Sequence, residues 1–272
     1  MNTIKRKLKI FYEEVGEKYP EEEIVYKTLR GKLRKKFILT YLNNFKGSLL
    51  DIGCNQGMYL DEYEGGSRFG VDISFNVLKK TSKKKIQHLV VADAEQLQCF
   101  KKSSFDNVLC SEVLEHCLNP IEIFKGISHV LIDDGYALLT TPNYKRYRPK
   151  WIGLGRLPQY GVSFDNKDGY FHTAYRPEQL VEFAKKAGLK IVESGTLEKE
   201  VKYAAKIPAA ILLFGRFVNK IFRSQKFNQM NQQVFDNLTL LIYHGCRILK
   251  IEKILLKIFT DGVRSYILVK KS

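Results

Sequence analysis

The stretch LLDIGCNQGMYL, Leu49 to Leu60, limits the fold more than any other part of the chain. A short apolar strand runs into an acid and then into two glycines, Gly53 and Gly57, with Asn55 and Gln56 between them. Glycines just after a buried strand let backbone N–H groups approach a ligand closely. A loop at that place lies at the carboxyl end of a sheet, where open α/β folds bind their ligands. A dinucleotide loop needs G-x-G-x-x-G, its third glycine packing helix on strand. Here Asn55 holds the second glycine position and the third glycine is missing, so a pyrophosphate is poorly served.

The surrounding pattern agrees with such a sheet. The runs SLLDIG, RFGVDIS, HLVVAD, FDNVLCSE and YALLTTP alternate with the helix-period segments NVLKKTSKKK and PIEIFKGISHVL. Strand alternating with helix predicts a mostly parallel α/β sheet. A helix is expected at Pro177–Ala187, opened by Pro177 and stopped by Gly188. KIVESG and RSYILVKK, Arg264 to Lys271, are the last strands. The start of the chain reads as helical to about Phe45, with Leu29, Leu33, Phe37 and Tyr41 at four-residue spacing. The expected organisation is a helical cap over 1–45, a core over 46–196 and 263–272, and a helical insertion over 197–262. The insertion holds two long apolar, basic helices, Lys202–Arg223 and Val234–Phe259.

Two more strands end in acids. Asp72 closes RFGVDIS, about twenty residues beyond the loop, where a carboxylate can accept from two ribose hydroxyls. Asp93, in VVADAEQL, is placed to meet an adenine amino group, and Asp51 to hold a cationic amine. Together they describe a ligand with an amine, a ribose and an adenine but no phosphate. The ordered set LLDIGCNQG, GVDIS, ADAEQL, FDNVLCSEVLEH and ALLTTPN, spanning about Phe37 to Gly195, resembles the class I S-adenosylmethionine-dependent methyltransferases. That resemblance implies a Rossmann-like, seven-stranded mixed sheet of order 3-2-1-4-5-7-6 with an antiparallel strand seven. It implies S-adenosyl-L-methionine as cofactor. Asp51, Gly53, Asn55, Gln56 and Gly57 would hold the methionine part, and Asp72 with Ile73 the ribose. Asp93 with Ala94 would frame the adenine, and Ser111, Glu112 and Val113 would line the floor beneath the methyl.

A sulfonium methyl is already activated, so the protein mainly aligns the nucleophile and excludes water. A hydroxyl acceptor also needs a base. His172, in GYFHTAYRPEQL, is the preferred base; His116 is the second candidate and reads more as a structural residue facing its own helix. Tyr144, Tyr147 and Tyr175 fall in the same region. Glu112, Glu115 and His116 form E-x-x-E-H, which resembles ubiquinone-pathway O-methyltransferases, where such residues are implicated in divalent-ion binding. That ligand geometry demands a helix there, and no metal is assigned. The segment Asn143 to Arg156 interleaves basic residues with aromatics beside the acceptor site, a pattern suited to phosphate, carboxylate or ring.

The net charge of +16 favours an acidic partner: nucleic acid, an anionic lipid surface or an acidic substrate. The exocyclic-amine signature Asn/Asp/Ser-Pro-Pro-aromatic is replaced by CSEVLEH, and no Pro-Cys nucleophile stands nearby, so nucleic acid is disfavoured. In the insertion, Leu241, Ile248, Leu255 and Phe259 share a stripe flanked by Arg247, Lys250, Lys253 and Lys257. Such a helix suits an anionic membrane interface or a lid over the core. Five scattered cysteines argue against a disulfide framework, and no run reaches the ~20 apolar residues of a membrane span. The expected protein is cytoplasmic, with peripheral contact at the inner membrane face. It methylates a small or amphiphilic acceptor on oxygen: a lipid, a quinol or a lipid-linked glycan. The rival readings are an RNA methyltransferase and a membrane-associated cofactor-binding module without turnover.

Overall fold

The computed structural model describes residues 3–81, 86, 88–144, 151–164 and 169–272. Lys145 to Lys150 of the basic–aromatic segment, Tyr147 among them, lie outside the described residues. The chain divides into two compact units. One comprises Met1–Glu22, Ile38–Gly195 and Arg264–Ser272; the other comprises Glu23–Phe37 and Thr196–Val263. The stretch 1–45, expected as one helical cap, is therefore shared between them.

The first unit is built on a seven-stranded sheet. Its strands are β1 (Leu49–Ile52), β2 (Arg68–Asp72), β3 (His88–Val91), β4 (Phe105–Ser111), β5 (Leu131–Pro142), β8 (Leu189–Leu197) and β9 (Arg264–Lys271), in the order β3-β2-β1-β4-β5-β9-β8. A separate hairpin pairs β6 (Trp151–Ile152) with β7 (Tyr170–Phe171). Counting only the strands of the large sheet gives 3-2-1-4-5-7-6, the expected order. β1 lies parallel to both β2 and β4, and β9 runs antiparallel to β5, pairing Pro142 with Arg264. Central parallel strands are covered on both faces, which accounts for their near-continuous apolar runs. Leu50, Ile52, Val108, Cys110, Ala137, Leu139, Ile267 and Val269 meet Phe124, Ile127 and Leu180 from α6 (Pro120–Val130) and α7 (Pro177–Lys186) in one buried cluster. Proline opens both helices, where its missing N–H costs nothing.

Helix α3 spans Leu29–Leu42 and α4 Met58–Glu62, while helix α1 (Thr3–Lys18) is tied to α5 (Phe75–Thr81) by its acids and carbonyls. The Glu13 carboxylate accepts from Ser74 Oγ at 2.9 Å, Phe75 N at 3.0 Å and Asn76 N at 3.1 Å. Burial raises its pKa, but the Asn76 and Phe75 N–H groups outweigh burial and hold it below the ordinary value. Lys80 Nζ donates to the Gly16 carbonyl at 2.7 Å and to that of Glu17 at 2.8 Å. Gly16 is needed here, since a Cβ would stand 2.4 Å from Ser74 Oγ.

The second unit packs Leu29 and Leu33 with Val201, Tyr203, Ala204, Phe235, Leu240 and Phe259. The expected helix Lys202–Arg223 is divided at Ala205 into α8 (Glu200–Ala204) and α9 (Lys206–Phe222). The expected helix Val234–Phe259 begins earlier and breaks. α10 runs Gln225–Ile248, α11 runs Glu252–Ile258, and Lys250 between them takes φ 60. The α9–α10 turn is closed by Asn219, which donates to the Ser224 carbonyl and accepts from Ser224 N, each at 2.9 Å. Among the described residues no helix is long and apolar enough to cross a membrane.

Candidate active site

Strand order reverses beside β1, and the loop after β1 opens at that point. Its backbone is drawn toward β2: Gly53 N and Cys54 N donate to the Val71 carbonyl at 2.7 and 3.1 Å. Gly53 takes φ 69, and a Cβ there would lie 2.3 Å from the Val113 side chain, so only glycine permits this approach of β1 to the end of β4. Asn55 takes φ 47, a left-handed conformation that asparagine tolerates better than most residues. Its Oδ1 accepts from Gln56 N at 2.8 Å, which explains how asparagine replaces a glycine here. Asn55 N donates to Asp72 Oδ2 at 3.1 Å, and Ser74 N donates to Asp72 Oδ1 at 2.9 Å. Burial raises the Asp72 pKa to about 6 against the backbone N–H groups of Ser74, Asn55 and Ile73.

Asp51 is 2 % exposed, and its Oδ2 has no hydrogen-bond partner. Burial pushes its pKa well above the usual carboxylate value, and the charges of Glu22 and Asp72 push it the same way. The acids arrive from α2 (Glu21–Val25) as well as from the sheet. Glu21 accepts from Asn55 Nδ2 at 2.7 Å, and Glu22 accepts from Met58 N at 3.1 Å. A buried carboxylate oxygen without a donor, with two acids adding to its field, is a place for a cation. The ammonium of S-adenosylmethionine suits it, and the glycine-lined loop and Asp72 suit the rest of an aminoacyl nucleoside.

Asp93 sits one strand further on. Its Oδ1 accepts from Glu95 N at 2.9 Å, capping the turn that begins at Ala94, and its Oδ2 meets Lys5 Nζ of α1 at 3.2 Å. Lys5 also meets Glu95 at 2.6 Å. Ile73 is half-buried beside Asp72.

A second group of side chains gathers beyond Val113. Glu112 takes φ 60; its Oε1 accepts from Thr140 Oγ1 at 3.1 Å and its Oε2 from Arg264 Nε at 2.5 Å. Ser111 Oγ lies 3.0 Å from Thr140 Oγ1. Glu115 is buried and accepts from Thr141 Oγ1 at 3.1 Å; burial and then the Glu112 charge raise its pKa well above the ordinary value. The sequence expectation that His116 faces its own helix does not hold, because Leu114–His116 is a single tight turn. His116 instead points at α1 and β7: its Nδ1 is 2.9 Å from the Tyr12 hydroxyl, and its ring lies 5.0 Å from His172 and 6.0 Å from Tyr170. Burial and then His172 lower its pKa to about 3. His172 is buried, its Nδ1 lacks a partner, and burial and then Arg264 lower its pKa to about 4. Glu115, His116 and His172 each present one ligand atom, all within 4.8 Å of one another, a carboxylate and two imidazoles that could hold a divalent ion. Tyr175 belongs to the core, and Tyr144 is exposed.

The structure thus gathers Asp51, Gly53, Asn55 and Asp72 near the ends of β1 and β2, and Glu112, Glu115, His116 and His172 beyond the end of β4. Sequence reasoning missed Lys5, Tyr12, Glu21, Glu22 and Arg264. All of them reach the site from chain segments far away in sequence, and none lies within a spaced motif.

The sheet order and acid-tipped strands define the class of S-adenosylmethionine-dependent methyltransferases. A methyltransferase-domain family matches residues 26–194, and the chain belongs to that family. A ubiquinone biosynthesis O-methyltransferase of Ralstonia nicotianae is 26% identical over 160 residues, covering 55% of this chain and 66% of the relative. A S-adenosylmethionine-dependent methyltransferase of Archaeoglobus fulgidus superposes with TM-score 0.52 at 22% identity, covering 88% of this chain and 94% of that one. The [4+2]-cyclase SpnF superposes with TM-score 0.53 at 14% identity, covering 89% of this chain and 81% of that one. A fold that also serves a cyclase leaves the acceptor to be argued from the site.

Proposed function

We propose that the chain transfers the methyl group of S-adenosylmethionine to an oxygen of a small, amphiphilic acceptor. The observation that supports this most is the pairing of an unsatisfied buried carboxylate at Asp51 with an unsatisfied buried imidazole at His172, one for each substrate. When bound, S-adenosylmethionine supplies a methyl on a positively charged sulfur. Asp51 holds the cofactor's ammonium, Asp72 its ribose hydroxyls, and Asp93 with Ala94 its adenine edge. Ser111, Glu112 and Val113 support the floor; Arg264 and Thr140 fix the Glu112 side chain there, and Val113 holds the Gly53 backbone in place.

His172 is neutral over the physiological range, since burial and Arg264 disfavour its charged form. A neutral imidazole with a free Nδ1 can accept a hydroxyl proton from the acceptor as the methyl arrives. Tyr12 orients His116, and the buried Phe11 ring stacks on Tyr170 at 4.9 Å and backs it. The name of the Ralstonia relative, a ubiquinone biosynthesis O-methyltransferase, points to oxygen as well.

The Glu115–His116–His172 grouping favours one alternative, in which a divalent ion rather than His172 lowers the acceptor hydroxyl's pKa. Turnover abolished by EDTA and restored by magnesium or zinc selects the ion; insensitivity to EDTA selects the base. The activity itself is tested with methyl-labelled S-adenosylmethionine in a cell extract separated into lipid, RNA, protein and small-molecule fractions. Label in the organic-soluble fraction supports the reading; label confined to RNA overturns it.

A further inference from the structure

We propose that α9 is an interfacial helix that seats this protein on an anionic phospholipid bilayer, an inference that goes beyond the active-site reading and does not depend on it. The α9–α10 hairpin is built inside out. Pro208, Gly215 and Asn219 of α9, and Asn231 and Thr239 of α10, are its buried residues. Asn231 Nδ2 donates to the Leu212 carbonyl at 2.9 Å, and a Cβ on Gly215 would come 2.5 Å from the Asn231 side chain. Small and polar residues therefore make the helix–helix contact, as they do where the surroundings are apolar.

The apolar side chains point the other way. Ile207, Phe214, Phe217, Ile221 and Phe222 are 65–75% exposed. Residues 207, 214, 217 and 221 fall on one stripe of a helix with 3.6 residues per turn. Soluble chains seldom leave a continuous apolar patch of this kind without a partner. α11 adds Ile254 and Ile258, also exposed.

Charge decides which partner. α9, KIPAAILLFGRFVNKIF, has no Asp or Glu, and Lys206, Arg216 and Lys220 flank its stripe, with Arg223 and Lys226 just beyond. A second copy docked through the same face would bring these cations together. An anionic lipid surface meets them with opposite charge while its acyl boundary takes the stripe. Seventeen residues, a length of ~25 Å, lie in the plane of the interface, since no helix among the described residues can cross.

The test uses the full chain with sucrose-loaded vesicles of phosphatidylcholine, alone or mixed with phosphatidylglycerol. The unmodified protein should sediment with the mixed vesicles and be partly released by salt. The triple variant Phe214→Ser, Phe217→Ser, Ile221→Ser should lose at least about a hundredfold in partition, as three exposed apolar anchors are removed. Arg216→Glu with Lys220→Glu should lose the preference for phosphatidylglycerol. Calorimetric affinity for S-adenosylhomocysteine should be unchanged in both variants, which shows that they fold and separates this surface from the active site. The proposal is overturned if the unmodified protein stays in the supernatant with mixed vesicles, or if the triple variant partitions as well as the unmodified protein. It is equally overturned by a solution dimer of the unmodified protein that the triple variant abolishes.

Discussion

Replacing Asp51 by asparagine should shift stability and cofactor affinity in opposite directions. Asp51 is buried, its Oδ2 accepts nothing, and burial together with Glu22 and Asp72 raises its pKa. The folded value lies above the unfolded one, so the unliganded fold keeps a proton that the unfolded chain releases. Its contribution to stability is complete below the unfolded value, about 3.9, and is lost as pH rises through the raised folded value. Asparagine has nearly the same shape and no charge to desolvate. Relief of an uncompensated buried polar group is worth about 1–3 kcal/mol. At about 2–4 °C per kcal/mol for a chain of this size, Tm of the unliganded variant should rise by roughly 2–12 °C at about pH 8, and by less at about pH 5. The ligand's ammonium would meanwhile lose a charged hydrogen bond worth about 1.5–3 kcal/mol, so affinity for S-adenosylhomocysteine should fall roughly 10- to 150-fold. Thermal unfolding followed by circular dichroism reads the first effect and titration calorimetry the second. Calorimetry in buffers of different ionisation enthalpy should also show the unmodified protein releasing a proton on binding. A variant that melts lower at about pH 8 and binds with unchanged affinity would refute the reasoning.

His172→Gln should lower kcat by about 10²- to 10⁴-fold and leave cofactor affinity intact, as single-turnover kinetics beside calorimetry would show. An equal loss of affinity would place His172 in the cofactor pocket instead. Arg264→Met leaves Glu112 without its 2.5 Å partner in a mostly buried place and should cost about 2–4 kcal/mol in urea unfolding. Glu13→Ala strips the acceptor from three donors at the start of α5 and should cost about 1–3 kcal/mol in the same assay.

The sheet was legible because its strands are short, apolar and tipped by acids that need a ligand. Those cues are local, and they placed Asp51, Gly53, Asn55 and Asp72 on one edge. The lower tier of the site was only half legible. Ligation by E-x-x-E-H would demand a helix there, yet φ 60 at Glu112 leaves only a single tight turn over Leu114–His116. Tyr12, Glu21 and Glu22 could not be read as site residues, since nothing in TIKRKLKIFYEEVGEK or EEEIV says where those helices dock. The long insertion helices were misjudged at their ends for a similar reason. The α9–α10 turn is made by Asn219 and Ser224, which carry no glycine or proline signal.

Strand β9 enters the sheet between β5 and β8 rather than at its margin, and it brings Arg264 to Glu112. Every other strand of the sheet precedes it in the chain, so during synthesis β5 and β8 emerge with a vacant slot between them. Closure of that slot joins residues far apart in sequence, the kind of contact that forms slowly. Until it happens, the strained Glu112 carboxylate lacks the Arg264 guanidinium, so the contact at the end of β4 is completed only once β9 has docked.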